Sequence, residues 1–248
     1  MPRKKPDPPP PPRAIMTCVG YDDILGLTLP HTLAHFPEVM VVTSPADKAT
    51  QRLASRLGAI LHITSSFFTG GAEFAKGVAL EEGLDAFGRE GWMSIMDCDV
   101  ILPPDIEQWT ANLDPTCLYA PRRRQLDDPS LYYPGMPWDH LPDAGDRELA
   151  GYCQIFHASA PVLRGRPWYG AWRHAGGCDS EFMFRWPAHK RVWLPTFVLH
   201  LGPHGKNWCG RVTPRLDGTV PKEAESRRKA LAWYQSQRPF HGYEKEKL

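Results

Sequence analysis

The stretch MSIMDCDVILPPD, residues 93–105, closes an apolar run with two aspartates one residue apart, Asp97 and Asp99. Paired carboxylates at a strand end are hard oxygen donors, suited to Mg2+ or Mn2+ rather than to a thiophilic metal. Such ions commonly take few protein ligands and complete their shell with substrate phosphates. The alternative is a pair of polar caps on the turn that LPPD imposes after a buried strand. Sixteen aspartates in 248 residues give about one D-x-D by chance, so the spacing alone does not choose between the two.

Two later stretches add chemistry. GGCDSEFMFRW, 176–186, opens with a glycine pair and carries Asp179 and Glu181 before helical spacing through Phe182, Arg185 and Trp186. Asp179 falls in the first turn of that helix, where it is either an N-cap or a general base fixed by the helix start. VLHLGPHGKNWCGR, 198–211, ends an apolar strand on His200, and its glycines let a loop approach a ligand closely. One imidazole added to two carboxylates makes a sensible manganese shell. Zinc is the rival metal reading, because Cys153/His157 and His174/Cys178 each sit four apart.

These residues need elements to position them. AIMTCVG, 14–20, EVMVVTS, 38–44, and AILHIT, 59–64, are short apolar runs suited to buried strands. Between the last two, Ser44 is a good N-cap, Pro45 suits the first helical position, and Asp47 suits the first turn. Leu53 and Leu57 share one face and Gly58 ends the helix, giving a βαβ unit. A second helix is expected over GGAEFAKGVALEEGLDAFG, 70–88, with Phe74, Val78, Leu84 and Phe87 at helical spacing. WMSIMD then reads as a strand buried on both faces. This alternation predicts an open α/β sheet, and ligands of such sheets bind outside the carboxyl ends of the strands, where Asp97 and Asp99 lie. Residues 121–151 are proline-rich, charged and aromatic. They read as one long irregular loop whose Tyr132, Tyr133 and Trp138 either face a substrate or pack onto the core. GYCQIFHAS, 151–159, returns to strand character. Residues 219–237 read as a capped amphipathic helix gripping the core through Leu231 and Trp233 or Tyr234.

The bulk composition is ordinary for a globular chain, with 42% apolar and 23% charged residues. A net charge of +1 does not announce a nucleic-acid binder, although the run Arg122, Arg123, Arg124 and the pair Arg227, Arg228 could form local basic faces. Residues 1–13 read as a disordered, proline-rich basic arm. No stretch approaches the ~20 apolar residues of a spanning helix, so no membrane partner is expected. Six cysteines without paired spacing point to a reduced, cytoplasmic protein.

In order along the chain, AIMTCVG, VVTSPAD, AKGVALEEGL, DCDVILPPD, GGCDSEFMFRW and HLGPHGKNWCGR resemble the motifs of GT-A glycosyltransferases. The likeness is to the family 2 type, with features of the polypeptide N-acetylgalactosaminyltransferases. It implies a Rossmann-like, mostly parallel open sheet in a single catalytic domain over 14–211. Residues 14–120 would form the nucleotide-sugar half and 121–211 the acceptor half, with a C-terminal helix and tail over 212–248. It further implies a metal-dependent transfer from a nucleotide-diphosphate sugar, most simply a UDP-sugar, with Mn2+ or Mg2+. By the same resemblance Asp97, Asp99 and His200 would bind the metal, with Asp97 also facing the ribose. Thr17, Tyr21 and Asp47 would hold base and ribose, and Lys76 would meet the nucleotide. Asp179 would be the base, although Cys178 replaces its usual acidic predecessor, and Glu181 could share or take the role. The acceptor hydroxyl could belong to a glycan, a small molecule, a protein or a hydroxymethylated DNA base. A nucleotidyltransferase and a non-catalytic nucleotide- or DNA-binding module are the rival classes. The former lacks the glycine-rich basic loop it should show after the first strand.

Overall fold

A computed structural model describes residues 12–106, 112–146, 148–149 and 151–237. Its centre is one eight-stranded sheet of order β3-β2-β1-β4-β7-β6-β8-β5. The strands are β1 (Arg13–Thr17), β2 (Glu38–Thr43), β3 (Ile60–Ile63), β4 (Trp92–Asp97), β5 (Val100–Ile101), β6 (Leu118–Leu126), β7 (Cys153–His157) and β8 (Arg191–Leu201). The helices, numbered here in chain order, are α1 (Asp22–His35), α2 (Lys48–Leu57), α3 (Lys76–Phe87), α4 (Ala175–Met183) and α5 (Ala224–Gln237).

The first half is the expected parallel one: β1 pairs in parallel with both β2 and β4, and β2 with β3. Met93, Ser94, Ile95 and Met96 of β4 are all fully buried, as a strand covered on both faces requires. The second half changes direction, since β7 runs antiparallel to β4 and to β6, β8 runs parallel to β6, and the two-residue β5 closes the far edge against β8. Two apolar layers sandwich the sheet, one under α3 and α4 and the other under α1 and α2.

Several expectations need correction. The helix after β2 begins at Lys48, and its cap is Asp47 rather than Ser44: Asp47 Oδ1 accepts from Thr50 N at 3.1 Å. The second helix starts at Lys76, so Phe74 precedes it, and a separate short turn spans Ser66–Gly71. The irregular segment at 121–151 is shorter than expected, because β6 runs through Pro121 and the arginine run to Leu126, with a register shift between Pro121 and Arg122. Along that strand the arginines alternate: Arg123 points inward at 4% exposure, while Arg124 lies over Phe197 and Arg122 faces Trp193 and Asp143. They therefore form no single basic face. Beyond β6, Tyr132, Met136, Trp138 and Leu141 pack on the cluster of Ile24, Ile101, Leu126, Leu199 and Leu201, so Tyr132 and Trp138 are packing residues. Tyr133 stays exposed. Of the basic arm, residues 1–11 lie outside the described residues, while Arg13 opens β1 and pairs with Glu38 at 2.6 Å. In α5 the gripping aromatic is Tyr234, with Trp233 exposed.

Candidate active site

The D-x-D segment is clamped at each of its three residues. Asp97 N donates to Tyr152 O at 3.0 Å, Thr28 Oγ1 of α1 donates to Cys98 O at 2.7 Å, and Leu201 N donates to Asp99 O at 2.8 Å. Register pairs Val100 with His200, which sets the His200 ring beside Asp99 with Nε2 3.6 Å from Oδ1. The loop from β1 to α1 is tied down by Asp47, whose Oδ2 accepts from Gly20 N at 2.6 Å. Gly20 sits there at φ 75°, a conformation that favours glycine.

Lys76 is the first residue of α3, and Gly77 behind it has no room for a side chain, because a Cβ would lie 2.2 Å from the Gly170 carbonyl oxygen. The Lys76 ammonium reaches the sheet edge, where it donates to Asp97 Oδ1 at 2.7 Å and to Asp179 Oδ2 at 3.1 Å. Burial alone would depress the Lys76 pKa, but Asp179 and Asp97 outweigh it and hold the group protonated. Burial raises the Asp179 pKa, Lys76 opposes that shift, and Asp97 adds to it. Asp179 lies in the second turn of α4, whose N-cap is His174, with Nδ1 accepting from Gly176 N at 3.0 Å. The cap reading of Asp179 is therefore excluded. Gly151 makes space for it, since a Cβ there would sit 1.9 Å from Asp179 Cγ.

A cavity of about 270 Å³ opens at this edge, and Thr17, Tyr21, Lys76, Asp97, Asp99, Asp179 and His200 all line it. Asp47 and Glu181 are not among its walls. The Asp47 carboxylate serves Gly20 and the α2 terminus, and Glu181 Oε2 accepts from Trp172 Nε1 at 2.6 Å. Sequence reasoning missed Arg123, His204 and Trp208 as wall residues and Gly151 as the spacer for Asp179. The GPHGKNW run announced a loop near a ligand, but nothing marked Arg123 beyond its run of like neighbours.

Among the described residues no group of three or more His, Cys, Asp or Glu side chains is gathered for a metal. The zinc pairs dissolve: Cys153 Sγ meets Ser94 Oγ, His157 Nδ1 meets Ser159 Oγ, and Cys178 Sγ meets Ala175 O. The Asp99–His200 pair, in contrast, fits a hard divalent cation that substrate oxygens complete. Among the described residues Asp99 Oδ1 is buried without a hydrogen-bond partner. Burial raises the Asp99 pKa, His200 opposes the shift and Asp97 adds to it, so the carboxylate lacks a sufficient counter-charge. The nearer partner of His200 Nδ1 is the Gly202 carbonyl at 3.1 Å, against 3.3 Å for Gln125 Nε2. Asp146 neutralises Arg123, so among the described wall residues Lys76 is the ammonium or guanidinium left to face Asp97, Asp99 and Asp179. Asp97 itself is occupied by Lys76 and could join such an ion only by exchange.

No known family's sequence profile matches the chain, and no curated protein matches its sequence. Solved structures do. Mannosyl-3-phosphoglycerate synthase from Rubrobacter xylanophilus is 12% identical over 92% of this chain and 73% of that one, with a TM-score of 0.51. The mannosyltransferase PcManGT from Pyrobaculum calidifontis, in complex with GDP-Man and Mn2+, is 14% identical over 80% of this chain and 61% of that one, with a TM-score of 0.49. Glucosyl-3-phosphoglycerate synthase from Mycobacterium tuberculosis, in complex with Mn2+, UDP and phosphoglyceric acid, matches at 19% identity and a TM-score of 0.34. There the match covers 45% of this chain and 42% of that one. At these identities the likeness establishes the fold, which is a GT-A-type α/β sheet flanked by helices.

Proposed function

We propose that the protein is a divalent-metal-dependent glycosyltransferase that moves a sugar from a nucleoside-diphosphate sugar, by preference a UDP-sugar, to a hydroxyl acceptor. The observation that carries this reading is the assembly Asp97–Lys76–Asp179 beside the Asp99–His200 pair, all on one cavity wall at the carboxyl ends of the strands. Asp99 and His200 would hold Mn2+ or Mg2+, with Asp97 as a third ligand once released by Lys76. When bound, the ion offsets the charge that builds on the leaving diphosphate. Thr17 and Tyr21 bound the part of the cavity beside the Gly20 turn, where base and ribose would lie, and Asp47 fixes that turn through Gly20. The buried ammonium of Lys76 is a ready donor to diphosphate oxygens.

Asp179 would take the proton of the acceptor hydroxyl as its oxygen bonds to the anomeric carbon and the bond to the diphosphate breaks. Its raised pKa suits that role, because a carboxylate made more basic by burial is a better proton acceptor. Glu181, held on the Trp172 indole, serves to pack α4. The acceptor is a hydroxyl compound: a glycan, a small molecule, a protein side chain as in the polypeptide transferases, or a modified DNA base. The alternation of Arg122 to Arg124 weakens the last of these. A cytoplasmic setting agrees with six free cysteines among the described residues, and no helix among them is long and apolar enough to cross a membrane.

A panel of UDP- and GDP-sugars, assayed for release of nucleoside diphosphate with and without Mn2+, tests the reading. Mn2+-dependent turnover of one donor is expected. Failure of every nucleotide to bind in the presence of Mn2+ would remove it.

A further inference from the structure

Helix α4 turns one face to the cavity, and Gly176, Asp179 and Ser180 on that face all line it. Positions three and four apart on a helix are neighbours, about 5–6 Å from one another. Helical side chains lean toward the N-terminus, so those of Asp179 and Ser180 reach back toward the turn that holds Gly176. Gly176 has no room for a side chain, because a Cβ there would lie 2.6, 2.7 and 3.1 Å from Cδ2, Cε3 and Cε2 of Trp208. Those three atoms adjoin one another in the indole, so the helix meets the ring on its flat side. Trp208 lines the same cavity.

The indole is held in place from several sides. Trp208 O accepts from Ala175 N at 2.9 Å, and the ring lies nearly parallel to that of His174, with 6.1 Å between centroids. It also packs against the cluster of Cys209, Leu231 and Tyr234. An aromatic wall fixed before binding costs little side-chain entropy when a ligand lies on it. What such a wall selects follows from its neighbours. One side of a pyranose ring is C–H, polarised by the adjoining oxygens, and it suits the negative face of an aromatic ring. The rim of the same ring carries vicinal hydroxyls, which a carboxylate and a serine hydroxyl adjacent in sequence can engage together. A serine or threonine acceptor brings no ring face, and a hydroxymethylated base brings a single alcohol. Asp97, Asp99 and Asp179 against the Lys76 ammonium also disfavour a polyanionic strand at this edge.

We infer that the acceptor presents a pyranose ring: its reacting hydroxyl meets Asp179, a neighbouring hydroxyl meets Ser180, and its C–H face lies on Trp208. The inference rests on the proposed transfer reaction, because it gives Asp179 the proton of that hydroxyl. The plain alternative is a tryptophan that only packs the loop of residues 202–213 onto α4 and α5. A packing residue would show itself in stability, and it would be indifferent to whether a small polyol is cyclic.

The test compares rings with open chains. The probes are methyl β-glucoside, methyl β-galactoside and methyl α-mannoside, with sorbitol as a polyol without a ring and 5-hydroxymethylcytosine as a flat base. Calorimetry first measures UDP binding in the presence of Mn2+ for the parent, Trp208→Phe and Trp208→Leu, and it should be equal in the three. The probes are then titrated into each protein, free and loaded with UDP and Mn2+, and followed by saturation-transfer NMR. At least one glycoside should bind the parent roughly tenfold more tightly than sorbitol or the base, with the strongest transfer to the C–H protons of one ring face. Trp208→Phe keeps an aromatic face and should keep most of that preference, whereas Trp208→Leu should lose about tenfold. Glycosides no better than sorbitol, a base that outbinds them, or an undiminished preference in Trp208→Leu would overturn the inference. So would an equal loss of UDP affinity, or competition between the glycoside and the donor sugar. If Trp208→Leu does not fold, uniform transfer to both ring faces in the parent takes its place as the refuting result. If UDP fails to bind the parent, the transfer reading falls instead, and the glycoside preference of the free protein judges the wall by itself.

Discussion

Replacing Gly151 by alanine tests the placement of the base without touching the base. An ideal Cβ at that position lies 1.9 Å from Asp179 Cγ, 2.0 Å from Oδ2 and 2.4 Å from Cβ. Ordinary contact begins at 3.4 Å, so the carboxyl carbon must retreat by about 1.5 Å. Rotation of the side chain cannot supply all of this, because the Asp179 Cβ is itself too close. The displacement is enough to break the 3.1 Å contact with Lys76. A misplacement of ~1 Å can cost about 100-fold in turnover, and loss of a general base typically costs ~10²–10⁴-fold. Gly151→Ala should therefore lower kcat by roughly 100-fold or more. UDP affinity in Mn2+ should hold, because Asp99 and His200 are untouched. The overpacking itself should cost about 1–3 kcal/mol, read as a shift in the urea midpoint. Steady-state turnover of the identified donor, with calorimetry of UDP, separates the two effects. A folded Gly151→Ala protein with near-parental kcat would refute both the base assignment and the reasoning from Cβ contacts.

Four further outcomes follow from the same geometry. Asp179→Asn should lose ~10²–10⁴-fold in kcat and, although His174 and not Asp179 caps α4, should also cost stability because it removes one of the two carboxylates that hold the buried Lys76; near-normal turnover would point to a retaining mechanism or a different base. Asp99→Asn should remove the Mn2+ dependence of UDP binding in calorimetry, and equal binding with and without metal in the parent would show that the D-x-D pair is only a turn. Arg211→Met should cost about 3 kcal/mol and lower Tm by roughly 6–12 °C, because it strands Asp23 in its 11% exposed setting and releases the Gly20 and Pro214 carbonyls. Asp47→Ala should cost about 1–2 kcal/mol in urea unfolding as the α2 cap and the Gly20 tether are lost together.

What could be read from the sequence follows the range of the forces involved. The parallel half was legible because β1, β2 and β4 are continuous apolar runs and α2 has a cap at one end and Gly58 at the other. Even there Ser44 and Asp47 were both chemically able to cap, and Asp47 took the role while its other oxygen bonded Gly20. Helix α1 left no readable stripe: Pro30 lies inside it, no side chain caps it, and it buries Thr28 and Thr32 alongside its aliphatics. Strand β6 was hidden for the opposite reason, since Pro121 and three arginines suppress the apolar alternation. Burial of Arg123 depends on Asp146, 23 residues on, and His204, 81 residues on.

The site divides in the same way. The edge positions of Asp97, Asp99 and His200 were legible because Asp97 ends β4, Asp99 follows two residues on and His200 is next to last in β8, and a carboxyl edge is where an α/β sheet exposes chemistry. Lys76 was singled out only by resemblance, and its neighbours Asp97 and Asp179 lie 21 and 103 residues away. No local pattern encodes that juxtaposition; it arises where α3 abuts the Gly170 turn and α4 abuts Gly151. Its consequence is physical. In the proposed transfer, Lys76 would neutralise both the base and the first aspartate of the D-x-D pair, so a diphosphate that drew Lys76 toward itself would alter the charge at both ends of the reaction.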